Sequence, residues 1–174
     1  MDAIKKYENF PAWIVILSMI FSLAVYGIGF AILLKAGLIF FLLYLVLILA
    51  FEYRLIRYHC VNCFYWGKTC GFGKGWLSSM FFKRGDISKF CVKEMSWKDM
   101  VPDLLVTLIP VVTGIILLII KFEPIVLAGI ALLIILITFG NGYIRGNLTC
   151  KYCKQRELGC PADKLFNKEG QGRN

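Results

Sequence analysis

The sequence predicts an all-α membrane protein in which four transmembrane helices form two tandem hairpins, each followed by a cytoplasmic C-x2-C-x6-C motif. Three observations carry that expectation. Hydrophobic residues make up 59% of the 174-residue chain, well above a soluble domain of this length, and they gather into four long runs. Basic residues are segregated: 18 of the 20 fall in residues 2–8, 54–98 and 145–173, which even numbers of apolar runs separate. Finally, Cys60, Cys63 and Cys70 recur as Cys150, Cys153 and Cys160, each 90 residues further on.

A net charge of +9 suggests nucleic acid or an anionic membrane surface as a partner, and position decides between them. Basic residues concentrate in cytoplasmic segments of membrane proteins, so their distribution places the N-terminus, the middle loop and the C-terminal tail in the cytoplasm. Orientation accounts for the charge, and no surplus basic patch is left for nucleic acid. The chain is thus expected in the cell membrane as a multi-pass protein with the lipid bilayer as its first partner. All seven cysteines lie on the reducing side, which favours metal over structural disulfides.

The first run, residues 12–34, has 23 residues without a charge, enough to cross about 30 Å of hydrocarbon. It exceeds the apolar core of a signal peptide and no small-residue cleavage site follows, so it predicts an uncleaved helix with Trp13 at the interface. Ser18, Ser22, Gly27 and Gly29 form a small-residue stripe suited to helix contact. Residues 35–37 make a tight outer turn. The charge-free part of the second run, residues 36–51, has only 16 residues, so Glu52, Tyr53 and Arg54 are expected to complete the crossing at the headgroups.

The first cysteine motif sits in an aromatic and glycine-rich stretch, where Gly67, Gly71, Gly73 and Gly75 permit a loop that folds back on the sulfurs. Lys74 is not followed by Ser or Thr, so this is no phosphate-binding loop. Residues 76–100 mix Trp76, Met80 and Phe81 with Lys83, Arg84 and Lys89, the pattern of an amphipathic segment on the inner leaflet; a docking surface for a cytoplasmic or membrane protein is the other use. Ser96 and Asp99 have the form of a capping box ahead of the third run.

That run, residues 104–120, holds 17 uncharged residues interrupted by Pro110, where a kink is expected; residues 124–144 are the fourth, with 21. The repeat divides the chain at residues 1–91 and 92–174, two spans to each half. Both halves then run the same way, and their twofold axis lies along the membrane normal, bringing the motifs together.

Two cysteines three apart can turn their sulfurs to one centre and a third nearby can close on it, so Cys60, Cys63, Cys70, Cys150, Cys153 and Cys160 are the candidate metal ligands. Cys91 and His59, the only histidine, are possible additions. Three thiolates per half do not fill a four-ligand site. Six can hold two zinc ions if two sulfurs bridge, leaving a charge of −2 that Lys68, Lys74, Lys151 and Lys154 are near enough in sequence to offset. C-x2-C-x6-C used twice is similar to the binuclear zinc cluster of fungal transcription factors. The resemblance covers the six cysteines alone and implies only that two zinc ions can be shared; DNA binding is not carried over. An iron–sulfur cluster in an electron-transfer subunit is the rival, with Cys160-Pro161 similar to ferredoxin endings, though the spacing is not the ferredoxin run.

A single histidine excludes a bis-histidine haem and any Ser-His hydrolase. With no ionisable residue expected inside a span, an ion-coupled transporter loses its main requirement. No catalytic constellation is found, and a structural, interaction or assembly module is the expectation.

Overall fold

A long apolar run without competing polar side chains satisfies its backbone within itself as a helix, and that is how this chain is built. The computed structural model describes residues 6–92, 97–140 and 142–160, with the backbone alone for residues 91, 92, 97–100, 102 and 103. The α-helices are α1 (Ala12–Ala36), α2 (Leu38–Tyr58), α3 (Lys74–Phe81), α4 (Ile87–Val92), α5 (Trp97–Ile120) and α6 (Pro124–Ile135). Among the described residues there is no strand, only an isolated bridge between Tyr7 and Cys153. Ser96, half of the expected capping box, lies outside them, as does the tail beyond Cys160.

Among the described residues, three apolar helices are long enough to cross a membrane: Ala12–Ala36 and Leu38–Asn62, of 25 residues each, and Pro124–Tyr152, of 29. The third run, Leu104–Ile120, is a shorter apolar stretch of helix within α5. The α1–α2 turn is tighter than expected, at Gly37 alone, whose φ of +138° a side chain would strain. Past Ile135 the last long helix widens into π-helical turns, Leu136–Gly140 and Gly142–Thr149. Two hydroxyls reach back into this winding, Thr138 to the carbonyl of Ile134 at 2.8 Å and Thr149 to that of Ile144 at 3.0 Å.

The chain forms two compact units, one from residues 20–53 and 96–142, the other from residues 1–19, 54–95 and 143–174. Each unit draws on both of the halves 1–91 and 92–174.

In the first of these units α1 buries Leu33 with Tyr44, Ile48 and Val106, and Ile32 with Val126 and Ile130. Pro110 does not break α5. A proline at that position leaves the carbonyl of Val106, four residues earlier, without its helical N–H donor. The Tyr44 hydroxyl of α2 donates to that carbonyl at 2.7 Å. Gly29 makes the room: a Cβ there would lie 2.6 Å from the Tyr44 oxygen and 3.1 Å from Pro110.

Glu52 stands inside α2. No Gly or Pro interrupts the residues after it, so α2 continues six residues to Tyr58, and the Glu52 carboxylate accepts a 2.7 Å hydrogen bond from the Tyr26 hydroxyl. Tyr26 is 14 residues into α1, or about 21 Å along its axis.

The proline–tyrosine pairing sets an expected outcome. Tyr44→Phe should cost about 0.5–2 kcal/mol in detergent-solubilised protein, because the Val106 carbonyl is then unanswered. In Pro110→Ala the backbone supplies the missing donor, so Tyr44→Phe should cost much less on that background. Thermal unfolding of the four proteins of this cycle measures the difference.

Candidate metal centre

The second unit contains both cysteine motifs, and they share one local conformation. Each opens on a single 3-10 turn, Cys60–Asn62 and Cys150–Tyr152, entered through His59 (φ −112°, ψ −55°) and Thr149 (φ −107°, ψ −61°). Each turn closes with the second cysteine N–H donating to the first cysteine's carbonyl, at 3.3 Å for Cys63 and 3.2 Å for Cys153. The next donors match as well: Trp66 N–H reaches Cys63 at 3.1 Å, and Arg156 N–H reaches Cys153 at 3.2 Å.

Between the motifs runs an exchange that the 90-residue offset relates residue for residue. The Phe64 N–H donates to the side-chain oxygen of Gln155 at 2.7 Å, and the Lys154 N–H donates to the hydroxyl of Tyr65 at 2.9 Å. Lys154 is the counterpart of Phe64, and Gln155 of Tyr65. Both acceptor residues are only 1% exposed. The Tyr65 hydroxyl passes its own proton on to the Tyr7 carbonyl at 2.6 Å.

The segment before α1 straps the two loops together. Tyr7 N–H donates to the Tyr152 carbonyl at 3.0 Å, and Phe10 N–H to the Thr69 carbonyl at 2.9 Å. Phe10, Ile14, Val15 and Tyr65 form the buried cluster beneath, with Cys63, Cys70 and Cys153 packed against it. Gly71 admits the second motif closely, since a Cβ there would lie 2.7 Å from Thr149.

All six candidate cysteines are half-buried thiols without disulfides. Burial pushes the Cys63 thiol up to about 12, with the Tyr65 amide opposing and the thiols of Cys153, Cys70 and Cys60 adding to the rise. Burial likewise pushes Cys153 up to about 11, against the amides of Gln155 and Arg156, with Cys160 and Cys150 adding. The thiols of one motif thus feel those of the other. Backbone amides aim at sulfur elsewhere too: Gly75, at the start of α3, donates to Cys70 Sγ at 3.2 Å. Among the described residues, no three Cys, His, Asp or Glu side chains form a group that could hold a metal ion. What the donor set offers is soft sulfur ligands with N–H groups already directed at them, the chemistry that suits a thiolate-bound zinc or iron.

Charge collects over the Phe64 ring, next in sequence to Cys63. The Lys68 ammonium lies 4.2 Å from the centre of the Phe64 ring and that of Lys154 5.4 Å, one lysine from each motif. Lys154 also pairs with Glu8 at 2.5 Å, which holds the Glu8 carboxyl below its usual range. The possible additional ligands sit differently. His59 stands edge-on to Phe90, 6.4 Å between ring centres. Cys91 belongs to α4, whose approach is tied to the first motif: Gly85 N–H donates to the Val61 carbonyl at 2.9 Å and Asp86 N–H to Asn62 Oδ1 at 3.0 Å.

Residue reasoning missed Tyr65, Gln155, Tyr7 and Thr149. The 90-residue offset already paired Tyr65 with Gln155, but a tyrosine and a glutamine share no ligand chemistry. They share the ability to accept a hydrogen bond. Gln155→Ala should therefore lower stability by about 0.5–2 kcal/mol, the cost of a part-buried amide that loses its acceptor. Hydrogen exchange should quicken at the Phe64 amide more than at that of Lys154.

No family model, curated protein or solved structure matches this chain, so its chemistry is read from its own residues.

Proposed function

We propose that this is a membrane protein of four spans whose two cysteine motifs act as one cytoplasmic thiolate metal site, with two zinc ions favoured, in a structural or assembly role. The observation that carries the reading is the reciprocal exchange between Phe64–Gln155 and Lys154–Tyr65. Two motifs that each held a metal alone would need no mutual hydrogen bonds. A shared cluster needs them, because its bridging sulfurs fix the distance between the loops.

The matched turns, the amides directed at Cys63, Cys70 and Cys153, and the two lysines over Phe64 all support it. So does burial. A metal bound here would displace the thiol protons into water and supply the positive charge that buried thiolates need, so binding would couple to the closing of the fold. The repeat of residues 1–91 and 92–174 is the proposed origin of the arrangement, its twofold axis along the membrane normal.

Anaerobic purification followed by elemental analysis and an absorption spectrum tests the metal. Zinc in a colourless sample, near two ions per chain, is the expected result; iron with acid-labile sulfide would replace it with an electron-transfer cluster. Cys150→Ser should disturb metal held by both motifs, whereas Cys91→Ser should leave the content unchanged. Loss of half the metal in each variant would mean separate sites, with Cys91 among the ligands.

The orientation proposed here has both termini in the cytoplasm. A membrane-impermeant thiol reagent added outside intact cells should leave Cys91 and Cys160 unlabelled until the membrane is opened.

A further inference from the structure

Helix α3 turns its small residues inward and its large apolar ones outward. Gly75 and Ser78 are its buried positions. A Cβ on Gly75 would lie 2.2 Å from the Tyr65 carbonyl oxygen and 2.6 Å from that of Lys68, so α3 is pressed onto the backbone of the first cysteine loop. Trp76, Met80 and Phe81 point away, 59%, 60% and 69% exposed. In an amphipathic helix of a water-soluble surface the sizes would be reversed.

The basic end of this face is held in place. Trp66 Nε1 donates to the Phe82 carbonyl at 3.2 Å, and the Arg57 guanidinium lies 5.5 Å from the centre of the Phe82 ring. Lys83 and Arg84 follow, both exposed, and with Met80 and Phe81 they line a shallow open groove. The other end is fixed against α1: a Cβ on Gly73 would lie 3.2 Å from Val15 and 3.3 Å from Met19, so α3 starts beside the first turns of that helix.

We propose that α3 and the Lys83–Arg84 pair form a binding surface for an anionic phospholipid bilayer, with Trp76, Met80 and Phe81 in the acyl boundary and the two cations on headgroup phosphates. The proposal rests on the reading of α1 as a membrane span; it does not depend on the metal. Where α1 enters the bilayer, α3 is beside it. A large apolar face rimmed by cations fits a surface with hydrocarbon beneath and negative charge above. Because Gly75 donates to Cys70 Sγ, the same helix joins the lipid surface to the first cysteine loop.

The test uses the full chain reconstituted into phosphatidylcholine vesicles with and without phosphatidylglycerol. The Trp76 signal is the difference in fluorescence between the native chain and Trp76→Phe. Lipids brominated near the headgroup should quench it, aqueous iodide should not, and brominated phosphatidylglycerol should quench better than its phosphatidylcholine counterpart. Lys83→Glu with Arg84→Glu should cut that preference roughly fivefold or more, since each cation near an anionic surface contributes about that factor. Unchanged circular dichroism and thermal unfolding show that the variant remains folded.

Quenching by iodide would overturn the proposal, placing Trp76 in water. Shielding from both quenchers would overturn it too, putting a protein or a second copy of the chain on this face. Equal quenching by both lipids would remove the anionic headgroup from it. If α1 fails to span, outside labelling of the cysteines shows that separately.

Discussion

The constraint on which the cysteine unit depends is the pair of part-buried amides at Phe64 and Lys154, answered by two buried acceptors. Each follows a tight 3-10 turn that uses its own N–H groups internally, and neither amide finds an acceptor within its own loop. Left unmet in a part-buried setting, each would cost stability. Gln155 and Tyr65 answer them crosswise, so closure of either loop requires the other. The remaining features follow from that closeness: the strap at Tyr7 and Phe10, the bare Gly71 against Thr149, and the mutual influence of thiols from different motifs.

The helical unit applies the same rule to a different problem. Pro110 removes one donor from α5, and the orphaned carbonyl is met by a hydroxyl from α2 instead of by water. Gly29 is small because Tyr44 and Pro110 both stand against it. Glu52 and Tyr26 form another such pairing, so polar groups among apolar helices are matched by side chains chosen one against one.

Apolar runs and charge segregation made the helices legible, because hydropathy averages over a whole segment and tolerates local exceptions. The exceptions were less visible. The run at residues 104–120 has the composition of a span but only 17 such residues, and the widening of the last helix past Ile135 leaves no mark in composition. The charge of Glu52 marks a position near a span end, but its pairing with Tyr26 of another helix is not written in the run itself. The spacing singles out six cysteines as one set, and the two loops that carry them share one local conformation. Their supporting residues are not written in intervals, because a backbone amide can be met equally by a phenol, an amide side chain or a carbonyl. The mix of large apolar and basic residues from Trp76 onward marks an amphipathic segment, but that Gly75 and Ser78 face the protein is visible only from the carbonyls beneath Gly75.

The crosswise exchange also fixes an order of events during synthesis. Phe64 and Tyr65 leave the ribosome 90 residues ahead of Lys154 and Gln155, an interval of roughly 5–20 s at ordinary rates of elongation. Through that interval the first loop exists with its amide unanswered and its thiols uncovered, in a form the finished protein never revisits. Closure of the two loops is therefore an event of the later chain, and a ribosome stalled anywhere before Gln155 leaves the first loop without the partner that answers it.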